Sequence, residues 1–285
     1  MTVLLPRVGW IGLGDQGAPM ARAVAEAGYP LHVWARRRSS LDVLAGVPYQ
    51  LHDTVADLGA DSDIVGLCLG DDPDVREVAT TGGLLESLEP GAVLVNHGTG
   101  LPAFAAELAE LAMPYRVEVV DAPVSGGHVG AVEKRLTVLA GGDPEVVAFV
   151  RPVFATFATT VAHLGGHGAG QIGKLLNNTL LMANQQNIAE LLDVAGRLGL
   201  DLPALLDAIR AGTGSSVALQ SLGRAITPDN AEHLSRLQLI DMDIYRKVVA
   251  PFVSGLDPLT ERAVAGAQAL PRLARLTFPP PTAAG

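Results

Sequence analysis

The chain of 285 residues has a single cysteine, Cys68, so no disulfide can form within it. That thiol lies inside the apolar run Ile64-Val65-Gly66-Leu67-Cys68-Leu69, where it reads as a small buried hydrophobe rather than a nucleophile. Basic residues are also scarce: 20 Lys and Arg stand against 30 Asp and Glu, a formal charge of −10. This deficit argues against a nucleic-acid or anionic-membrane partner, since both need clustered cations, but it leaves room for a local basic pocket. No uncharged apolar run approaches the ~20 residues of a membrane span. The histidines are scattered, and none pairs at i, i+4 with a neighbouring carboxylate motif, so no metal is expected. The chain opens Met1-Thr2-Val3-Leu4-Leu5-Pro6-Arg7 and passes directly into a strand. A signal peptide has no room there, and a cytoplasmic protein is expected.

Apolar residues, in contrast, are plentiful at 48%, and 32 glycines and 19 prolines supply many tight turns. Short runs rich in β-branched residues fall at Val8–Ile11, Leu31–Trp34, Ile64–Leu69, Val93–Val95, Val117–Val120 and Leu136–Leu139. Most are continuously apolar, as parallel strands covered on both faces are. Helical stretches such as Ala18–Ala27, Pro73–Val78 and Pro102–Leu111 alternate with them. That alternation predicts an α/β fold, a Rossmann-type doubly wound parallel sheet.

After Leu164 the character changes. Gly165-Gly166-His167-Gly168-Ala169-Gly170 breaks the pattern, and the proline-free stretch from Gln171 to Leu198 predicts one long helix stopped by Gly199. Further helices are expected over Pro203–Ala211, Ser216–Ala225, His233–Val249 and Leu259–Leu270, with a frayed tail Phe278–Gly285. The expected division is a dinucleotide-binding domain over 1–164 and an all-helical domain over 165–285, joined through a helix over 168–198. The second domain is expected to bind substrate and to dimerise, with Leu180, Leu181, Met182, Ile188 and Leu191 needing a partner chain.

The first strand is followed by Gly12-Leu13-Gly14-Asp15-Gln16-Gly17. In such a turn one glycine permits the bend, the next lets backbone approach a pyrophosphate, and the third lets the helix pack on the strand. The second strand ends Val33-Trp34-Ala35-Arg36-Arg37-Arg38-Ser39-Ser40, with no carboxylate until Asp42. A carboxylate there would accept from the ribose hydroxyls of NAD, whereas guanidinium groups grip a 2′-phosphate. Arg36 and Arg37, with Ser39 in support, therefore point to NADP rather than NAD.

Lys174 and Asn178 are i and i+4, one turn apart on the long helix. A lysine on a largely apolar helix needs a purpose, because an unpaired buried ammonium is costly. Facing a nicotinamide, it would protonate an alkoxide as hydride arrives, or take the hydroxyl proton in the oxidative direction. Asn178 would orient the lysine or the substrate oxygen. Ser125-Gly126-Gly127 follows the strand Val117–Val120, where doubly wound sheets place their ligands. Its backbone N–H groups and hydroxyl suit a substrate carboxylate.

Three motifs in order, Gly12 to Gly17 continued as Ala18-Pro19-Met20-Ala21, Asp121-Ala122-Pro123-Val124-Ser125-Gly126-Gly127, and Gly168-Ala169-Gly170-Gln171-Ile172-Gly173-Lys174-Leu175-Leu176-Asn177-Asn178, resemble the β-hydroxyacid dehydrogenase family. This is the 3-hydroxyisobutyrate dehydrogenase-like and 6-phosphogluconate dehydrogenase-like group, which includes glyoxylate and succinic semialdehyde reductases. The resemblance runs from about residue 7 to about 225. It implies an NADP-dependent oxidoreductase acting on a small hydroxy acid or carbonyl, with Lys174 as general acid and base. It also implies that Ser125, Gly126 and Gly127 hold the acid group, and that Leu69 and Thr99 lie beside the cofactor. Asn96-His97-Gly98-Thr99 departs from the family wording, and His97 ranks below Lys174 as an acid or base. In the C-terminal region Leu239-Ile240-Asp241-Met242-Asp243 sets Met242 against a family lysine. Two other readings stay open: an imine reductase, and a catalytically idle NADP-binding sensor or scaffold.

Overall fold

The computed structural model describes residues 4–252 and 257–277, and the tail from Phe278 lies outside them. The chain divides into two compact units, Met1–Lys174 and Leu175–Gly285, and the division falls inside the long helix.

The first unit holds strands β1 (Val8–Ile11), β2 (Leu31–Trp34), β3 (Gln50–Leu51), β4 (Ile64–Leu67), β5 (Val93–Asn96), β6 (Glu118–Asp121), β7 (Val124–Ser125), β8 (Leu136–Gly141) and β9 (Ala158–Gly165). Helices α1 (Gly17–Glu26), α2 (Val55–Ala60), α3 (Asp72–Ala79), α4 (Leu84–Ser87), α5 (Pro102–Ala112), α6 (Gly127–Val132) and α7 (Pro144–Phe154) connect them. The strands form one sheet in the order β3-β2-β1-β4-β5-β6-β8-β7, with β9 on β8. From β3 to β6 every pairing is parallel, each crossover carrying helix or an extended loop. Apolar clusters cover both faces, one around Trp10, Met20 and Phe157, the other around Leu58, Leu67 and Leu94.

The sheet is not parallel throughout, as the strand-helix alternation suggests it should be. β8 runs antiparallel to β6 and β7. The connection from Ser125 to Leu136 holds only the short α6, less than the dozen or more residues a parallel crossover needs. β6 and β7 are one extended path in a single register, with Asp121 opposite Gly141, Val124 opposite Val138 and Ser125 opposite Thr137. Pro123, which has no N–H to give, marks the interruption. Ser125 therefore stands at the tip of a strand that leaves the parallel sheet. β3 and β9 escape the hydrophobic-run reading because β3 is two residues long and β9 is largely exposed.

His97 belongs to the aromatic core. Its ring stacks on Trp10 at 5.3 Å between centroids and meets Phe154 and Phe157 edge-on. Nδ1 lies 2.9 Å from the Ala122 carbonyl, to which it donates. Burial pushes its pKa down to about 4, so the ring is neutral and holds the end of β5 to the segment after β6.

Helix α8 (Ala169–Arg197) leaves the first unit and runs on into the second, about 44 Å at 1.5 Å per residue. The second unit adds α9 (Leu202–Ala211), α10 (Val217–Ser221), α11 (Pro228–Val249) and α12 (Pro258–Thr277). α11 begins earlier than the apolar pattern suggests, because Asn230 Oδ1 accepts the Thr227 N–H at 2.9 Å and Pro228 opens the first turn. α10 is shorter than expected, and Gly223 at φ +76° lies just beyond it. α12 continues through Pro271, which forfeits one backbone bond while Leu270, Leu273 and Ala274 are buried around it. Gly266 is required for that packing: a Cβ would lie 1.8 Å from the Met182 carbonyl oxygen of α8. Met182 and Ile188 are thus used within this unit, whereas Leu180 and Leu191 are exposed.

The neutral His97 gives a sign to the acid sensitivity of the fold. Its pKa is near 6.5 unfolded and about 4 folded, so the unfolded chain binds the proton first as pH falls. The contribution is complete above pH 6.5 and is lost between 6.5 and 4, about 3 kcal/mol at ~1.4 kcal/mol per pH unit. Urea unfolding at pH 7 and at pH 4.5 is expected to show a shallower pH dependence in His97→Asn than in wild type. Equal slopes would exclude this role.

Candidate active site

The glycine turn is shaped by what its side chains would strike. At Gly12, φ is +102° and a Cβ would lie 2.1 Å from the Cys68 carbonyl oxygen. At Gly17 it would lie 2.0 Å from the Gly12 carbonyl oxygen. Both glycines are demanded by the fold, since the turn is wedged against the segment after β4. Gly14 is different: its Cβ would meet nothing within 4 Å. The protein itself leaves space there for a ligand to approach the backbone. Gln16 makes no side-chain cap and the first turn of α1 carries no acid, so no side chain of that turn occupies the helix N-terminus. Leu13 turns inward onto the apolar core. These features fit a dinucleotide diphosphate.

Of the arginines that end β2, Arg38 is bonded to Asp53 at 2.7 Å. Arg36 faces Asp74 at 3.6 Å, with both side chains substantially exposed. Arg37 and Ser39 are exposed and have no side-chain partner among the described residues. Leu69 is half-buried just beyond β4, and burial pushes the neighbouring Cys68 thiol up to about 12, where it is inert at neutral pH.

The loop after β5 is pinned by residues that sequence reasoning did not single out. Gln171, buried at the start of α8, accepts the Gly100 N–H at 2.9 Å and donates to the Gly98 carbonyl at 2.8 Å. Thr99, half-buried, is held between those two bonds. Asp72 accepts the Leu101 N–H at 2.9 Å.

Asp121 seats α8. Its two carboxylate oxygens accept the N–H groups of Gly168 at 2.8 Å and Gln171 at 3.0 Å, from the far end of β6. Burial pushes this carboxyl above the usual aspartate range, and the two donors pull it back. Gly170 and Gly173 permit the approach, since Cβ atoms there would lie 2.4 Å from the Leu139 carbonyl oxygen and 2.2 Å from a Leu164 methyl. The helix so placed brings Lys174 Nζ to 2.7 Å from the Val124 carbonyl oxygen. The ammonium therefore stands immediately beside Ser125-Gly126-Gly127. Gly126 and Gly127 take φ +131° and +64°, and a Cβ on Gly127 would meet open space.

One turn further along α8, Asn178 is buried in the second unit, and its Nδ2 donates to Asp241 Oδ2 at 2.7 Å. Met242, set against a lysine by the sequence, is instead buried with Leu175, Met182 and Tyr245 and touches Thr179 Oγ1 through its sulfur. The residue of this turn that reaches Asn178 is Asp241. The second unit also has an open cavity of about 310 Å³ lined by Asn184, Leu191, Leu206 and Ser215, none of them a predicted site residue. Away from all of these, His32, His52 and Asp61 bring ring nitrogens and a carboxylate oxygen within 4.8 Å, which their sequence spacing did not disclose. His32 Nδ1 and His52 Nε2 lie 2.9 Å apart, and Arg7 lies 3.8 Å from Asp61.

Known proteins give this geometry a setting. Residues 7–165 match the family described as the NAD binding domain of 6-phosphogluconate dehydrogenase. Residues 168–251 match the NAD-binding region of NADP-dependent 3-hydroxyisobutyrate dehydrogenase. A probable 3-hydroxyisobutyrate dehydrogenase-like protein 2, mitochondrial, from Arabidopsis thaliana is 35% identical over 76% of this chain and 73% of its own length. An NAD-dependent L-serine dehydrogenase from Pseudomonas aeruginosa is 32% identical, with 76% and 73% covered. Among solved structures, a Mycobacterium tuberculosis 3-hydroxyisobutyrate dehydrogenase with L-serine superposes with a TM-score of 0.80 at 27% identity, covering 93% of each chain. No helix of the described residues is long and apolar enough to cross a membrane.

The three glycines separate fold from binding. Gly12→Ala and Gly17→Ala are expected to lower Tm markedly or abolish soluble expression. Gly14→Ala is expected to leave Tm within about 2 °C while weakening NAD(P)H binding about tenfold, read by nucleotide fluorescence. Unchanged binding in Gly14→Ala would remove the diphosphate assignment.

Proposed function

The chain belongs to the β-hydroxyacid dehydrogenase family, NAD(P)-dependent oxidoreductases of the hydroxyacid type, and from this we propose that it transfers a hydride between NADP and a small carbonyl or hydroxy acid, with Lys174 as general acid and base. The observation that carries the reading is the Lys174 ammonium 2.7 Å from the Val124 carbonyl, at the entrance of Ser125-Gly126-Gly127. Residues 1–164 are read as the NADP-binding domain and 165–285 as the substrate and dimerisation domain.

When bound, the nicotinamide supplies or accepts the hydride. Gly12, Leu13, Gly14, Gln16 and Gly17 hold the diphosphate with backbone N–H groups and a helix N-terminus. Leu69 and Thr99, in the segments just beyond β4 and β5, would face the nicotinamide. The substrate acid is held by Ser125 and the backbone of Gly126 and Gly127, and Lys174 gives its proton to the carbonyl oxygen as negative charge develops there. The Val124 carbonyl takes one of the three ammonium donors and fixes the direction of the rest. Asn178, one turn along the helix and braced by Asp241, orients the lysine or the substrate oxygen.

The preference for NADP rests on charge at the end of β2. Arg36 and Arg37 carry guanidinium groups where a ribose-binding carboxylate would repel a 2′-phosphate, and Ser39 adds a hydroxyl. A homodimer is supported by the apolar residues that α8 leaves exposed in the second unit, Leu176, Leu180, Leu191 and Val194. Sedimentation at micromolar concentration would exclude it by returning a monomer. The reading includes a cytoplasmic location.

The test is NADPH and NADH oxidation with a panel of aldehydes, keto acids, glyoxylate, succinic semialdehyde and cyclic imines. Carbonyl acids are expected to be reduced with NADPH, and Arg37→Ala to lower the NADPH-to-NADH preference in kcat/KM at least about tenfold. Turnover of imines alone, or NADPH binding with no reduction across the panel, would overturn the carbonyl-acid reading.

A further inference from the structure

The two turns assigned above to diphosphate and substrate acid are distant in sequence, yet one side chain joins them. His128 follows Gly127 at the head of α6, and its Nδ1 lies 2.7 Å from the carbonyl oxygen of Asp15, 113 residues earlier, in the middle of the glycine turn. A carbonyl only accepts, so His128 carries a proton on Nδ1 and donates it. At the other end of α6, Lys134 pairs with Glu26 of α1 at 2.9 Å. Lys134 does so from φ +54°, a left-handed backbone that side chains disfavour. Helices α1 and α6 are therefore tied at both ends.

The need for such a tie follows from the residues between. Gly126 and Gly127 have the backbone freedom of glycine in left-handed conformations, and Gly127 has no neighbour that a Cβ would touch. A loop of this kind would wander without an anchor. His128 is the first side chain after the glycines, and it fastens the loop to the peptide between Asp15 and Gln16.

We propose that His128 is a positioning residue that couples the two turns, so that dinucleotide seated on Gly12–Gly17 orders Ser125-Gly126-Gly127 for the substrate acid. The proposal rests on the reading of those two turns given above. Fixing the Asp15 carbonyl also fixes the peptide it shares with Gln16, whose N–H opens α1. Coupling of this kind is reciprocal: what the nucleotide does for the acid loop, the acid does for the nucleotide.

The experiment uses full-length wild type, His128→Ala and His128→Asn, the amide nitrogen of asparagine standing where His128 Nδ1 stands. Amide hydrogen exchange over residues 124–130 is followed with and without saturating NADPH. NADPH is expected to slow exchange there at least about threefold in wild type and His128→Asn, and to leave His128→Ala unprotected. The best carbonyl acid of the panel is expected to show a KM raised about fivefold or more in His128→Ala, kcat within about twofold, and recovery in His128→Asn. Equal protection in wild type and His128→Ala, no protection in NADPH-bound wild type, or a His128→Asn variant as defective as His128→Ala would overturn the coupling. Failure of wild type to bind NADPH at all would instead overturn the cofactor assignment, and the two failures are read separately.

Discussion

The buried Asp121 carboxylate is the constraint from which the rest of this site is set. Two backbone N–H groups at the start of α8 end on its oxygens, and charge-assisted bonds of this kind are worth about 1.5–3 kcal/mol each. They draw the N-terminus of a 29-residue helix down onto the end of β6, over glycines that leave no room for a methyl group. Two consequences share that placement. Gln171, in the first turn of the helix, braces the loop carrying Thr99. Lys174, less than one turn later, comes to rest against the strand tip that carries Ser125. A shift of the helix by one residue would turn both side chains away.

Much of this is legible in the sequence, and the reason is local. Fully buried parallel strands are short continuous apolar runs, so β1, β2, β4 and β5 stand out. A glycine-rich turn between a strand and a helix likewise marks a place where backbone comes close to backbone or to a ligand. What the sequence hides depends on partners far along the chain. Asp121 meets residues 47 and 50 positions later, and Gln171 reaches back 71 and 73. Neither residue type announces such a role, since Asp and Gln are ordinary on any loop or helix. The one signal for Asp121 is its position, a carboxylate at the end of an apolar strand where burial is certain to need donors.

His97 and Met242 show the opposite difficulty, in which chemistry by residue type misleads. An imidazole near a cofactor loop suggests acid–base work, yet aromatic neighbours on both sides and a backbone acceptor make it part of the core. Met242 suggests a lost lysine, but its side chain is enclosed by apolar groups and its neighbour Asp241 makes the contact with Asn178. Helix phase decides between adjacent residues, and a sequence without a reliable helix start does not supply that phase. α11 begins five residues before the apolar pattern does, at Pro228 rather than His233.

Family membership, a glycine turn with room for a dinucleotide and a lysine held beside the Ser125-Gly126-Gly127 loop are the grounds for the central proposal, that Lys174 moves the proton while hydride moves between nicotinamide and carbonyl. The most direct measurement is a single turnover, with enzyme in excess of NADPH and saturating carbonyl acid, followed by loss of nicotinamide absorbance in wild type and Lys174→Ala. Lys174→Ala is expected to bind NADPH as wild type does but to transfer hydride at least about a hundredfold more slowly. Hydride transfer at the wild-type rate in Lys174→Ala would contradict that role.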